Sequence, residues 1–405
     1  MVDYRLPVSR MSAAMRAGGI REIVSRAGAL ERAGEKIIHM EIGRPDYDSP
    51  LCAKEAAKKA LDSGLVHYTD TAGIPELRYA LASAIKRDHG MDVDPEREIV
   101  VTVGAVEALA SVFFALLEPG DEVVVPTPFF PAYADQIVLA GGDLREVHCS
   151  FENEFCLTVA DLEAAVTPKT RILLLNSPNN PSGATLREDD LKGIADLVRK
   201  HDILVVSDEC YEKFLYEGKH VSIASLPGMR ERTIVVSAAS KTFSMTGWRV
   251  VWIFMPAEMK PFVAKSHQNL TSCATSFAQA GVSVALEKAE DDGKQMISGY
   301  KERRNALIER LNSIDGFEAH MPKGAFYAFP RVSKLTSRFG ISTGELAAWL
   351  LEEAGVATVP GDVFHVKGDF LRMAYCRPLS EIHEAMNRIE AAVKKRCLTN
   401  LGQRV

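Results

Sequence analysis

The chain has no C-x-x-C pair: its seven cysteines stand apart at 52, 149, 156, 210, 273, 376 and 397 in 405 residues. An odd, scattered set argues against a disulfide framework and a zinc site, and fits reduced thiols in a cytoplasmic protein. No uncharged stretch reaches the roughly 18 residues of a membrane span. The nearest, 108–117, is short and flanked by Glu107 and Glu118, so it reads as a buried helix. Residues 1–16 lack an apolar core followed by small residues, which argues against a secretory signal. With 48 basic and 54 acidic residues the net charge is −6. No global basic field exists to attract nucleic acid or an anionic membrane. Neither G-x-G-x-x-G nor G-x-x-x-x-G-K-[ST] occurs, so an NAD or ATP reading lacks its phosphate cradle. Internal repeats and low-complexity tracts are also missing.

What is there is a core. A hydrophobic content of 47% and the length fit a soluble globular protein of two or three domains. From about 98 to 255, short β-branched runs alternate with helical segments, the pattern of βαβ units around a mostly parallel, doubly wound sheet. Expected strands are 99–103, 122–125, 171–175, 203–207, 233–237 and 249–254; expected helices are 107–117 and 188–200. The second helix follows Ser182-Gly183-Ala184-Thr185, which offers hydroxyls for a helix start. The last third differs, with a charged helical stretch at 287–314, short strands near 325–330 and 371–376, and an amphipathic helix near 381–395. This predicts a large α/β domain over 46–286 and a smaller α+β domain formed by 287–405 with the 1–45 segment, which has no core of its own.

In open α/β sheets ligands gather at the carboxyl ends of the strands, so the polar residues just after each strand are informative. Lys241 follows the 233–237 strand, and Arg249 lies eight residues further on. Such a pair suits an amine that holds an aldehyde cofactor as a Schiff base beside a cation that holds its phosphate. Most lysines are solvated surface charges, so Lys241 gains meaning only from partners elsewhere. Asp208 and Tyr211 follow the 203–207 strand: a buried carboxylate can keep a pyridine nitrogen protonated, and a phenol can bond the ring's oxygen. Asp208 reads equally well as a helix cap. The 176–183 loop, Asn-Ser-Pro-Asn-Asn-Pro-Ser-Gly, is either a rigid turn or a mount that aims Asn180 at the same oxygen. Gly104-Ala105-Val106 opens an apolar helix whose free N–H groups suit phosphate, although many strand-to-helix turns look alike. Phe129-Phe130 offers a ring to stack on a planar cofactor, or two more core residues.

Taken together the loops resemble those of the fold-type I pyridoxal phosphate (PLP) enzymes, specifically the class I and II aminotransferases. The matching pieces are Gly43-Arg44-Pro45-Asp46, His67-Tyr68-Thr69-Asp70-Thr71-Ala72-Gly73, Gly104-Ala105-Val106, 176–183, 208–211, 240–249 and Arg372-Met373-Ala374-Tyr375. They occur in the family's order and cover almost the whole chain. The resemblance implies the fold-type I architecture and an amino-group transfer from an L-amino acid to a 2-oxo acid in two half-reactions, with PLP as cofactor and no metal. Lys241 looks like the Schiff-base lysine that also shuttles the proton. Asp208 would pair with the pyridine nitrogen, Asn180 and Tyr211 with the phenolic oxygen, and Phe130 would stack on the ring. Arg249, Ser240 and the backbone at Gly104, Ala105 and Val106 would hold the phosphate. Tyr68 resembles the tyrosine that reaches the phosphate across a homodimer interface. Arg372 looks like the fork for the substrate α-carboxylate, with Gly43 and Asn180 beside it; by itself Arg372 reads as a surface ion-pair residue.

Two positions depart from the family pattern. Ala238 stands where relatives often carry a phosphate-binding hydroxyl, so that contact is lost or moved to Ser237. Val251 stands where many relatives have glycine, which puts close backbone packing there in question. The runner-up activity on the same fold and cofactor is a carbon–sulfur β-lyase. The resemblance implies that side-chain specificity depends on loops and on the N-terminal segment near Gly18-Gly19-Ile20, which the family folds over the active site. Arg10, Arg16, Arg21 and Arg26 are candidates for a second carboxylate or for a solvated face.

Overall fold

The computed structural model describes Val8, Met15 and residues 19–402. Arg10 and Arg16 lie outside the described residues. The strands are β1 (Ile38–His39), β2 (Ile99–Thr102), β3 (Glu122–Thr127), β4 (Asp143–His148), β5 (Thr170–Asn176), β6 (Leu204–Asp208), β7 (Thr233–Ala238), β8 (Val251–Phe254), β9 (Tyr327–Ala328), β10 (Val356–Ala357), β11 (Val359–Pro360) and β12 (Leu371–Ala374). Seven of them form one sheet in the order β2-β8-β7-β6-β5-β3-β4. Only β8 runs against its neighbours; the β4-β3-β5-β6-β7 run is parallel. The expected fold-type I α/β architecture is present.

The parallel strands read as continuous apolar runs because both faces are covered. Successive side chains alternate sides, so β7 sends Ile234 and Val236 into one core cluster and Val235 into another. Helix Ala105–Leu116 covers the first face with Leu109, Val112 and Phe113, while helices Pro75–His89 and Ser276–Lys288 cover the second with Leu77, Leu81 and Val282. The helix expected at 188–200 spans Glu188–Lys200, with acids in its first turn, bases in its last and an apolar stripe of Leu191, Ile194, Leu197 and Val198.

Several expectations need correction. No hydroxyl caps Glu188–Lys200: its N-cap is Arg187, and Ser182 is occupied within its own loop by Asn179 and the Ala184 N–H. Strand β4 is absent from the expected set because Asp143, Arg145 and Glu146 make it a polar edge strand. Arg249 is not in a strand; its φ of 58° is left-handed, and β8 begins at Val251. The stretch 287–314 is divided between two helices, Ser276–Lys288 and Glu290–Ser313, which break at the buried Ala289.

The remaining strands form two small sheets. β1 pairs in parallel with β10, and β12 lies antiparallel between β11 and β9. The N-terminal helix Gly19–Arg32 buries Ile23 and Ala27 against Leu351 and Ala357. The described part of the N-terminal segment therefore contacts the C-terminal third. One large cluster also runs from Ile38 and Val356 through Phe326 to Val236, joining the small sheets to the face of the large one.

Candidate active site

The loops after β2, β3, β5, β6 and β7 converge on one cavity of about 490 Å³, at the carboxyl ends of strands that all point the same way. Ala105, Val106, Phe130, Asn180, Asp208 and Tyr211 line it, as do Ser240, Lys241, Arg249, Gly43 and Arg372. These residues lie up to 329 positions apart in sequence, from Gly43 to Arg372.

Lys241 belongs to the short helix Ala239–Thr242 at the end of β7, and its Nζ donates to the Gly43 carbonyl at 2.8 Å. Burial pulls its ammonium below the usual lysine range, and the Arg372 and Arg249 charges push the same way. Asp208 ends β6 and is buried. Its Oδ2 accepts from the Tyr133 hydroxyl at 2.6 Å and its Oδ1 from the Cys210 N–H at 3.1 Å. No helix begins directly after it, the next being the short turn Ile223–Ser225, so Asp208 is not a helix cap. Burial raises its carboxyl, opposed by the Tyr133 and Cys210 donors. A cationic N–H facing Asp208 would restore the charged form, which suits a pyridinium.

Tyr211 places its hydroxyl 2.8 Å from that of Tyr327, and burial pushes its ionisation well above the usual phenol range. Asn180 accepts from Arg372 Nη1 at 3.0 Å through Oδ1, and its backbone N–H is held by Asn176. Arg372 is no surface residue: it is 2% exposed, donates through Nη2 to the Glu41 carbonyl, and lies between the rings of Tyr327 and Phe364 at 4.7 and 5.0 Å. Its buried Nε has no partner. Phe130 meets Tyr133 edge-on at 5.8 Å and lines the cavity, while Phe129 is core.

At the other end Gly104 has φ 93°, and a Cβ there would collide with the Arg249 guanidinium. The glycine thus lets a cation lie against the first turn of helix Ala105–Leu116, whose N–H groups carry the positive end of the helix dipole. Arg249 donates to Thr246 O and Val103 O from its left-handed backbone, a strained conformation for a residue with a side chain. Ala238 lines this end without a hydroxyl. Ser237 does not replace it, since its hydroxyl donates to Glu212 at 2.8 Å and it is absent from the lining. The other departure is accommodated: Val251 is fully buried directly across from Ala238 in the β7–β8 register, the large residue opposite the small one. Tyr68 is not in the lining and is 90% exposed.

Three participants were not among the expected residues. Tyr133 supplies a donor to Asp208, Asn176 orients Asn180, and Tyr327 links Tyr211 to Arg372 and to Gly43, where a Cβ would strike its hydroxyl. Asn176 lay within a recognised motif, whereas no local signal marks either tyrosine. Behind Asp208 and Tyr211, on the other face of the sheet, lies a buried network. Glu209 accepts from Ser207, Ser222 and His220, and Glu212 accepts from Ser237 and His89. His89, Glu209 and Glu212 are close enough to hold a cation. All four carboxylate oxygens already accept from hydroxyls or imidazoles, which identifies the cluster as a hydrogen-bond network. Burial pushes Glu212 up, but its bond to His89 and the His89 charge outweigh this and hold it at about 2.

Asp208, Lys241 and Arg249 line one cavity with Ala105 and Val106 of the helix N-terminus, a donor and acceptor set that fits a flat, anionic, aldehyde-bearing cofactor. The chain belongs to the family of class I and II aminotransferases, whose family model matches residues 35–389. It is 42% identical to the aromatic-amino-acid aminotransferase 2 of Thermococcus litoralis, over 91% of this chain and 95% of that one. It is also 42% identical to an aspartate aminotransferase of Pyrococcus abyssi, over 91% and 94% of the two chains. Among solved structures it is similar to the aspartate aminotransferase of Thermus thermophilus with maleate, at a TM-score of 0.90 and 36% identity, covering 96% of this chain and 100% of that one. The protein is therefore an enzyme, a PLP-dependent aminotransferase. Its relatives' names support this reading over the lyase alternative.

Proposed function

We propose that Lys241 is the residue that bonds the cofactor and moves the proton, in a ping-pong exchange of an amino group between an amino acid and a 2-oxo acid. The observation that carries this is the placement of the Lys241 amine in one cavity with Asp208, Arg249 and Arg372. Bound PLP supplies a carbonyl carbon and an electron-withdrawing ring. The chain's residues orient and gate that chemistry. Burial favours the neutral amine at Lys241 Nζ, the form that attacks a carbonyl and can take the Cα proton of the amino acid. Asp208 would hold the pyridine proton, with Tyr133 fixing its carboxylate. Asn180 and Tyr211 would meet the phenolic oxygen, Phe130 the ring face, and Arg249, Ser240 and the Gly104-Ala105-Val106 turn the phosphate. Arg372 would take the substrate α-carboxylate through its unpartnered Nε and adjacent Nη, beside Gly43 and Asn180.

The working unit we infer is a homodimer to which Tyr68 contributes across the interface. Exposed Leu51, Val66, Tyr68, Phe114, Phe262 and Leu270 support it, being large apolar groups on three helices and a loop. A division into 46–286 and 1–45 with 287–405 is supported by strand pairing: the large sheet uses residues within 99–254, and the small sheets use 38–39 and 327–374. A cytoplasmic location is supported by seven unpaired cysteines; no helix among the described residues is long and apolar enough to cross a membrane.

The test is reconstitution. Apoprotein given PLP should gain a visible absorption band that borohydride discharges, leaving a reduced adduct that peptide mapping finds on Lys241. Lys241→Ala should lose band, adduct and transamination together; an adduct on another lysine would sink the assignment.

A further inference from the structure

The N-terminal helix Gly19–Arg32 presents different chemistry on each of its faces. Ile23 and Ala27 dock it, while Ile20 and Val24, one turn apart, line the cavity with Ile42 and Phe130. Its cations face elsewhere: Arg21 and Arg26 are exposed, neither lines the cavity, and Arg26 pairs with Glu352. Ile20 also packs into the cluster that contains Phe364, the ring stacked under Arg372. The apolar wall is thus on the side of the cavity where Arg372 sits.

The charges of the cavity are already allocated. Among the described residues its lining holds three cations, Lys241, Arg249 and Arg372, against the carboxylate residues Asp208 and Glu41. If the roles proposed above hold, on which this step rests, one cation carries the amine chemistry, one the phosphate and one the α-carboxylate. Among the described residues of one subunit, a second substrate carboxylate at Ile20 and Val24 would then find no partner, and burying an unpaired charge is strongly unfavourable. An apolar side chain would bury surface there instead.

We propose that Ile20 and Val24 determine specificity, and that this aminotransferase takes amino acids with uncharged, apolar side chains in preference to dicarboxylic ones. The discriminating element is the turn of the helix that puts two aliphatic residues inward and Arg21 and Arg26 outward.

The test uses the PLP-loaded enzyme in single half-reactions, following loss of the visible band with L-leucine, L-methionine and L-phenylalanine against L-aspartate and L-glutamate. The apolar donors should react with a second-order constant about tenfold or more above the dicarboxylic ones, the scale a hydrophobic pocket supplies. A readout independent of turnover is calorimetric binding of two inert acids: hydrocinnamate should bind more tightly than maleate. In Val24→Arg, and separately in Ile20→Lys, both preferences should move toward the dicarboxylic ligand by about tenfold. Faster reaction of aspartate or glutamate in the unaltered enzyme, or tighter binding of maleate, overturns the inference while leaving the roles of Lys241 and Arg372 intact. Failure of every donor to discharge the band overturns those roles and this inference with them.

Discussion

Lys241 illustrates how much meaning a side chain draws from its surroundings. Its motif marked it, but its lowered ammonium range comes from burial beside Arg372 and Arg249, which lie 131 and 8 positions away. Asp208, Tyr211 and Asn180, which line the same cavity, were also legible: they stand at or just after the ends of β6 and β5, where polar residues are informative. Arg372 lies inside β12 and stood out only through the resemblance. Tyr133 and Tyr327 were not legible: an aromatic in an apolar stretch reads as core, and only packing shows where its hydroxyl ends. His39 gives a prediction at this scale. Its Nδ1 bonds Glu41 at 2.7 Å and its Nε2 bonds Glu31 at 3.0 Å, and the Glu41 bond leads in raising its pKa from 6.5 to about 9. The folded imidazolium therefore keeps its proton where the unfolded one has lost it. The stabilisation is complete below about 6.5 and is lost as pH rises through about 9. Urea unfolding should show a decline of roughly 1–2 kcal/mol across that window, after allowance for solvent screening, and His39→Gln should flatten it.

Among the elements, periodicity was most reliable where one face is apolar and the ends are charged, as in Glu188–Lys200. It failed where polarity hid a strand, at β4, and where two helices meet at a buried Ala289 with no breaker between them. The junction of β2 with helix Ala105–Leu116 carries the phosphate site proposed above. Gly104→Ala would force a Cβ into a position of φ 93° and against Arg249. A cost of about 1–3 kcal/mol should appear as PLP affinity weakened by about 10- to 100-fold in a fluorescence titration of apoprotein. Far-ultraviolet circular dichroism should stay unchanged, because the helix itself loses nothing; unaltered affinity would remove Gly104 from the phosphate site.

At the scale of the whole molecule, the continuous cluster from Ile38 to Val236 makes the small sheets and the large one a single packed body around the cavity. The exposed apolar groups, Tyr68 among them, then predict mass action. If two copies bury them, the melting temperature of the enzyme should rise with protein concentration, and Tyr68→Ala should weaken PLP binding while sedimentation still reports a dimer. A monomer by sedimentation at every concentration would remove Tyr68 from the site.

Most of the order of strands and helices, the parallel sheet and several residues of the cavity are written locally. Each depends on apolar period, on turn residues or on the polar residues at a strand's carboxyl end, and these are short-range properties of the chain. Tertiary packing alone decided that Ser237 turns to Glu212, that Val251 fits opposite Ala238, that Tyr133 and Tyr327 join the site, and that Ile20 and Val24 rather than Arg21 and Arg26 face the cavity. These outcomes depend on which face of an element meets a partner hundreds of residues away, and that is set by the global minimum of burial and hydrogen-bond satisfaction.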